Sequence, residues 1–207
     1  MNLKVRQRRG SGLLAGLGFF LVSISPAHAH LTVEGVGEVA NGALHPLMTP
    51  AHALVILSLG LLFGQQVPLK LKLPIRIFAP VSAAALLFTL SGRVTEVDQP
   101  VLIGIALVAA ILVALEIKMP SWVGVILCAA AAMAIGLDSA VDTGSTVAVL
   151  KTLAGTWLSM NAAVFYLAVC ASNAEDRKWA RVGIRVLGSW IIAIALMVLA
   201  FSLRKSS

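Results

Sequence analysis

Long apolar blocks, interrupted only by short polar breaks, constrain this sequence more than any other feature. Of its 207 residues, 59% are hydrophobic and 12% are charged, whereas a soluble domain carries about 25% charged residues. So few charges cannot cover a water-exposed surface, and apolar blocks of about 20 residues have the length of a membrane-crossing helix. Because lipid offers no hydrogen bonds to the backbone, such blocks must be helical. The sequence therefore predicts an all-α, polytopic membrane helical bundle.

Six transmembrane helices are predicted, in one domain over residues 30–207. Each apolar block is about 17–23 residues long, and turn-forming or charged residues fill the breaks between blocks. The predicted spans are 42–64, 74–91, 98–117, 120–137, 150–172 and 183–203. Loops this short leave little room for a soluble active site, so any chemistry or transport is expected at membrane depth.

Residues 1–29 have the pattern of a cleaved signal peptide. A basic segment over residues 4–9 precedes an apolar stretch over residues 13–24, and residues 27–29 read Ala-His-Ala, an A-x-A cleavage site. Cleavage there makes His30 the first mature residue; the alternative is an uncleaved first helix. An export signal followed by further spans predicts a bacterial inner-membrane protein with a periplasmic N-terminus.

The charges of the loops support this orientation. The basic residues predicted inside are Lys70, Lys72, Arg76, Lys118, Arg177, Lys178, Arg181 and Arg185. Those predicted outside are Arg93, Lys151, Arg204 and Lys205. Eight against four agrees with the positive-inside rule. The net charge of +7 therefore reflects topology, and nucleic acid is not an expected partner.

Two histidines mark the start of the first predicted span. His45 and His52 are seven residues apart, so they share one helix face with Met48 between them. In a straight helix their rings would lie about 10 Å apart along the axis, too far to share one ion. Pro46 and Pro50 remove backbone hydrogen bonds, so we expect a kinked or partly unwound helix that brings these side chains round a cavity. We interpret the group as a transition-metal or proton-linked site; the alternative is hydrogen bonding within the bundle.

Acidic residues are predicted to gather on the same, outer side. Glu96 and Asp98 precede the third span, and Asp138 and Asp142 follow the fourth. Together they would form a mouth that attracts cations. For Glu96 and Asp142 we favour the alternative of solvated loop charges. Asp98 and Asp138 lie directly beside spans and are better candidates, Asp98 as a metal ligand and Asp138, with Glu96, as a secondary one.

Two further residues are secondary candidates. Asn161, in the fifth span, needs a hydrogen-bond partner in lipid; a helix–helix bond is the first expectation and pore lining the second. His30 would carry a free amine beside its imidazole, a pair that chelates metals, although cleavage at this position explains it equally well.

The sequence resembles the HupE/UreJ family of hydrogenase and urease accessory membrane proteins over nearly the whole mature chain. The segment GALHPLMTPAHALVILSLGLLFGQQ is similar to that family's HPLxGxDHLL helix, and VTEVDQPVLIGIALVAAILVAL resembles its third helix, which opens with an acidic residue. The resemblance implies movement of nickel or a similar divalent ion for a metalloenzyme or its maturation machinery. It implies His45 and His52 as the histidines of the H-x5-D-H motif, and Asp98, with Glu96 second, as the third-helix acid.

The sequence also departs from the family pattern. Ala51 stands at the motif's Asp position and Thr49 at its Gly position, and the family's histidines after the fourth span and in the fifth are missing. Without that carboxylate, and with Met48 nearby, the donor set is softer and favours copper.

Three hypotheses follow for the function. The first is a permease or facilitator for Ni²⁺ or a related ion, the second a copper-handling protein using His30, His45, Met48 and His52, and the third a non-transporting scaffold. The sequence contains no P-loop, HExxH or GxSxG motif, so we expect neither an ATP-driven pump nor an enzyme. No tightly bound cofactor is expected, and the lipid bilayer and the metal ion are the expected partners.

Overall fold

The computed structural model describes residues 36–66, 72–93, 97–141, 144–174 and 176–205, and all regular secondary structure in them is helical. The predicted signal peptide, His30, Glu96 and Asp142 lie outside these residues. Seven helices are described: α1 (Glu38–Met48), α2 (Pro50–Gly64), α3 (Lys72–Thr89), α4 (Gln99–Ala114), α5 (Ser121–Leu137), α6 (Thr146–Ala174) and α7 (Lys178–Lys205).

Helix length and composition confirm a helical membrane protein. The two long helices α6 and α7 are apolar enough to cross a membrane, and α1 with α2 forms a third, broken span if the pair is taken together. The apolar parts of α3, α4 and α5 are shorter, and the 16 residues of α4 rise about 24 Å, against a hydrocarbon core of about 30 Å. The count of six spans therefore stays a prediction.

The two long helices begin before the predicted spans. α6 begins at Thr146 and α7 at Lys178, whereas hydropathy predicts starts at 150 and 183. Lysine and arginine are good helix formers, so α7 continues through its polar end. Apolar length therefore marks the part of a helix suited to lipid, and not its ends.

α2 is the central helix of the bundle. Twelve of its fifteen residues are buried, and a helix that is apolar on all sides is stable only when neighbours surround it. It packs mainly on α6 and α4, while α3 packs on α5. The site described below is built on α2.

α7 is peripheral and packs along α4. One stripe of α7 is buried, at Ala180, Ile184, Ile191 and Ala195, whereas Trp190 on the outer side is 65% exposed. Large apolar side chains on the outside of a helical membrane protein contact lipid.

Buried glutamines tie one end of α2 to the last turn of α4 and to the loop that follows it. The Gln65 amide donates from Nε2 to the Val113 carbonyl at 3.3 Å, and Gln66 Nε2 donates to the Ile117 carbonyl at 3.0 Å. The Met119 N–H in turn donates to Gln66 Oε1 at 3.2 Å. These bonds fix the end of α2 that lies opposite the histidines.

Candidate functional site

The polypeptide bends by 74° between α1 and α2. Pro50 is the first residue of α2, and a proline disfavours the helical conformation for the residue before it. Thr49 accordingly adopts extended angles, φ −80° and ψ 112°, while its N–H still donates to the His45 carbonyl at 3.0 Å. The expected break in the helix is confirmed and lies at Thr49.

The bend brings the two histidines into contact. Their ring centroids are 5.4 Å apart with an angle of 73° between the ring planes, an edge-to-face arrangement. A straight helix would hold them about 10 Å apart along its axis. His45 is half-buried, and His52 is 0% exposed.

Asp138 reaches His52 from the end of α5. Its Oδ2 lies 2.8 Å from His52 Nε2, and its Oδ1 accepts a hydrogen bond from the Val97 N–H at 3.0 Å. Asp138 follows the last residue of α5, and its side chain is 18% exposed. The Asp138 carboxylate therefore links the end of α5 to His52 on α2 and to Val97, which lies just before α4.

This hydrogen bond defines which nitrogen of His52 is available. An ionised carboxylate only accepts hydrogen bonds, so with Asp138 ionised the proton between the two groups is carried by His52 Nε2. His52 Nδ1 is buried and has no hydrogen-bond partner within the described segments. A neutral imidazole protonated on Nε2 carries its lone pair on Nδ1, which is the form that binds metals. A carboxylate that holds the far nitrogen is the usual support of a metal-binding histidine.

The other predicted site residues that the structure describes are Met48, Asp98 and Asn161. Met48, at the end of α1, is 64% exposed. Asp98 is exposed at the start of α4 and makes no side-chain hydrogen bond that caps this helix. Asn161 donates to the Trp157 carbonyl at 2.8 Å and to Ser82 Oγ at 3.4 Å, so it forms the helix–helix bond expected of it, between α6 and α3.

The donor set is small. In the ranges that the structure describes, no group of three or more His, Cys, Asp and Glu side chains is arranged to hold a metal ion. The pair offers imidazole nitrogen with a supporting carboxylate, which leaves further coordination positions to water or backbone oxygen.

The sequence predicts His45 and His52 as site residues and Asp138 as a secondary candidate, but it does not predict the hydrogen bond between His52 and Asp138. His52 and Asp138 are 86 residues apart. The only sequence signal was their shared placement on the predicted outer side.

These features define a class: a helical membrane protein with a buried histidine–carboxylate pair beside a break in a helix. Comparison with known families identifies which one. The model of the family described as HupE / UreJ protein matches residues 18–198, so the chain belongs to the HupE/UreJ family, in agreement with its resemblance. No match was found among curated proteins or among solved structures.

Proposed function

We propose that this protein is a permease or facilitator for nickel, or a similar divalent transition-metal ion, in the bacterial inner membrane. It supplies that ion to the assembly of a metalloenzyme. The observation that carries the proposal is the environment of the buried His52. Its Nε2 lies 2.8 Å from Asp138 Oδ2, and its ring centroid lies 5.4 Å from that of His45.

The chemistry of the pair supports a role in metal handling. Neutral imidazole suits nickel, copper and zinc, and ionisable residues at membrane depth are retained where ions pass. Family membership supports the same class of function. The ion is cargo and not a cofactor, and transport would be passive, driven by the membrane potential or coupled to protons.

Two side chains bear on the choice of metal. The motif position with Asp in the family is Ala51 here, which by sequence alone leaves a softer donor set. Asp138 brings a carboxylate beside His52 through the fold, but it bonds Nε2 and so supports the histidine without joining the donor set at Nδ1. Met48, the soft donor of the copper hypothesis, is mostly exposed.

Cellular metal content tests the proposal. We would measure nickel, cobalt, copper and zinc in cells that express the wild type, His52→Gln or His45→Ala/His52→Ala at matched membrane levels. Glutamine can still donate to Asp138 but offers no imidazole lone pair. We expect accumulation of one metal by the wild type and its loss in both variants.

Two further variants sharpen the result. Asp176→Asn changes an exposed acid outside the pair and should accumulate metal normally, whereas Met48→Leu should matter only if copper is the cargo. Normal accumulation in a stable double-histidine variant would contradict the site. If the wild type changes no metal, a non-transporting scaffold becomes the better explanation.

A further inference from the structure

Pro46 leaves a carbonyl group in α1 without its usual donor. In an α-helix the carbonyl of residue i accepts a hydrogen bond from the N–H of residue i+4, and proline has no N–H. The carbonyl that loses its donor belongs to Gly42, which is buried. Thr156 Oγ1 lies 3.0 Å from this oxygen, and Thr156 is 1% exposed. A hydroxyl group on α6 thus supplies the hydrogen bond that Pro46 cannot make.

The Thr156 hydroxyl has one proton and two acceptors within reach. Its Oγ1 also lies 3.1 Å from the Thr152 carbonyl, one turn earlier in α6. Inside a helix that carbonyl already accepts from the N–H of Thr156 itself. The Gly42 carbonyl is therefore the acceptor that depends on the hydroxyl.

The hydroxyl reaches Gly42 because α1 and α6 cross with their backbones in close approach. A Cβ atom on Gly42 would overlap the Thr152 carbonyl, and one on Gly155 would overlap the Val39 carbonyl. Only hydrogen fits at either position. This crossing holds α1 against α6 less than one turn before His45.

We propose that Thr156 is a positioning residue for the histidine site. Its hydroxyl, bonded to the Gly42 carbonyl, holds α1 where His45 meets His52. The inference rests on the proposed function, because the site it positions is the metal-handling pair. Without the hydroxyl, a buried carbonyl has no donor, and α1 relieves this by moving from α6 and taking His45 with it.

A set of substitutions separates this role from general packing. Thr156→Val keeps the shape of the side chain and is expected to raise the KM for Ni²⁺ uptake about tenfold, with little change in the maximal rate per folded molecule. Thr156→Ser keeps the hydroxyl and should behave as the wild type. Pro46→Ala restores a backbone N–H for Gly42, so Thr156→Val should have little further effect in that background. Thr152→Val is the control, because its hydroxyl bonds the Ala148 carbonyl, which has a helical donor.

A second measurement does not require transport. In a chain lacking Cys128 and Cys170, His45→Cys and His52→Cys would be joined by a short bifunctional thiol reagent, with the yield read by mass spectrometry. Thr156→Val should lower the yield, and Pro46→Ala should restore it.

The outcomes are distinct. The proposal is overturned if Thr156→Val leaves both KM and crosslinking unchanged, if Thr156→Ser behaves like Thr156→Val, or if Pro46→Ala gives no rescue. If the wild type moves no metal while crosslinking responds as expected, the proposed function fails and the positioning role stands.

Discussion

At the scale of single residues, His52 is the point where three parts of the chain meet. Its ring contacts His45, its Nε2 is bonded to Asp138, and the residue is completely buried. A polar ring in an apolar core costs free energy unless both nitrogens are satisfied, and among the described residues Nδ1 of His52 has no hydrogen-bond partner. A ligand that uses Nδ1 would complete the set.

Asp138 should set the affinity of this site. Asp138→Asn keeps the shape of the side chain and one acceptor oxygen but removes the charge that orients His52. Loss of such support typically weakens metal binding about 10–100-fold. Equilibrium dialysis of Ni²⁺ against purified protein would measure the change. Asp176→Asn, in an exposed acid of another loop, is the matched control, and equal affinity in both variants would remove Asp138 from the site.

The sequence predicts one half of this site better than the other. Helical spacing places His45 and His52 on one face, and the two prolines predict a break between them, so the pair follows from local rules. The bond from His52 to Asp138 joins helices that are adjacent only in the folded bundle, and no local pattern encodes it. The exposed position of Met48 likewise depends on which way the bend turns.

At the scale of helices, the crossing of α1 and α6 should tolerate no added carbon. Gly155→Ala would press its new methyl group against the Val39 carbonyl, and overpacking of this kind costs about 1–3 kcal/mol of stability. Gly104→Ala, in α4, is the control because nothing lies within 4 Å of its added Cβ. Thermal unfolding in detergent would compare them, and an equal effect of both substitutions would contradict the close crossing.

The hydrogen bonds of Gln66 are expected to stabilise the loop between α4 and α5. Gln66→Leu would leave the Ile117 carbonyl and the Met119 N–H without the bonds they now make, and the buried Met119 N–H alone costs about 1–3 kcal/mol when unsatisfied. We expect a lower unfolding temperature and faster proteolysis of the loop between α4 and α5. Gln99→Leu changes an exposed glutamine at the start of α4 and should do neither. A loop equally protected in both variants would show that Gln66 does not hold it.

Hydropathy predicts where these helices lie along the sequence, but it does not predict where each helix begins and ends. The first apolar block, 42–64, is two helices because Pro50 forces Thr49 into an extended conformation. Both long helices begin before the predicted spans, and α7 includes a polar first turn because lysine and arginine are good helix formers. Apolar length is therefore a guide to membrane depth, and capping and proline chemistry decide the boundaries.

At the scale of the molecule, the described helices differ in length, and the longest of them supports the site. α6, with 29 residues, rises about 43 Å and packs against both halves of the broken pair, α1 and α2. The site thus rests on one continuous helix that is long and apolar enough to cross a membrane. α4 and α5, with 16 and 17 residues, are shorter than the thickness of a membrane.

The orientation of the protein in the membrane can be tested at the two ends of α6. If α6 spans the membrane, Ser145 and Asp176, which lie beyond its two ends and are exposed, face opposite compartments. The distribution of basic residues predicts Ser145 outside and Asp176 inside. In a chain without Cys128 and Cys170, Ser145→Cys should react with a membrane-impermeant maleimide in intact cells, and Asp176→Cys only after permeabilisation. The reverse pattern would invert the topology and place the histidine pair on the inner side, whereas labelling of both in intact cells would mean that α6 does not cross.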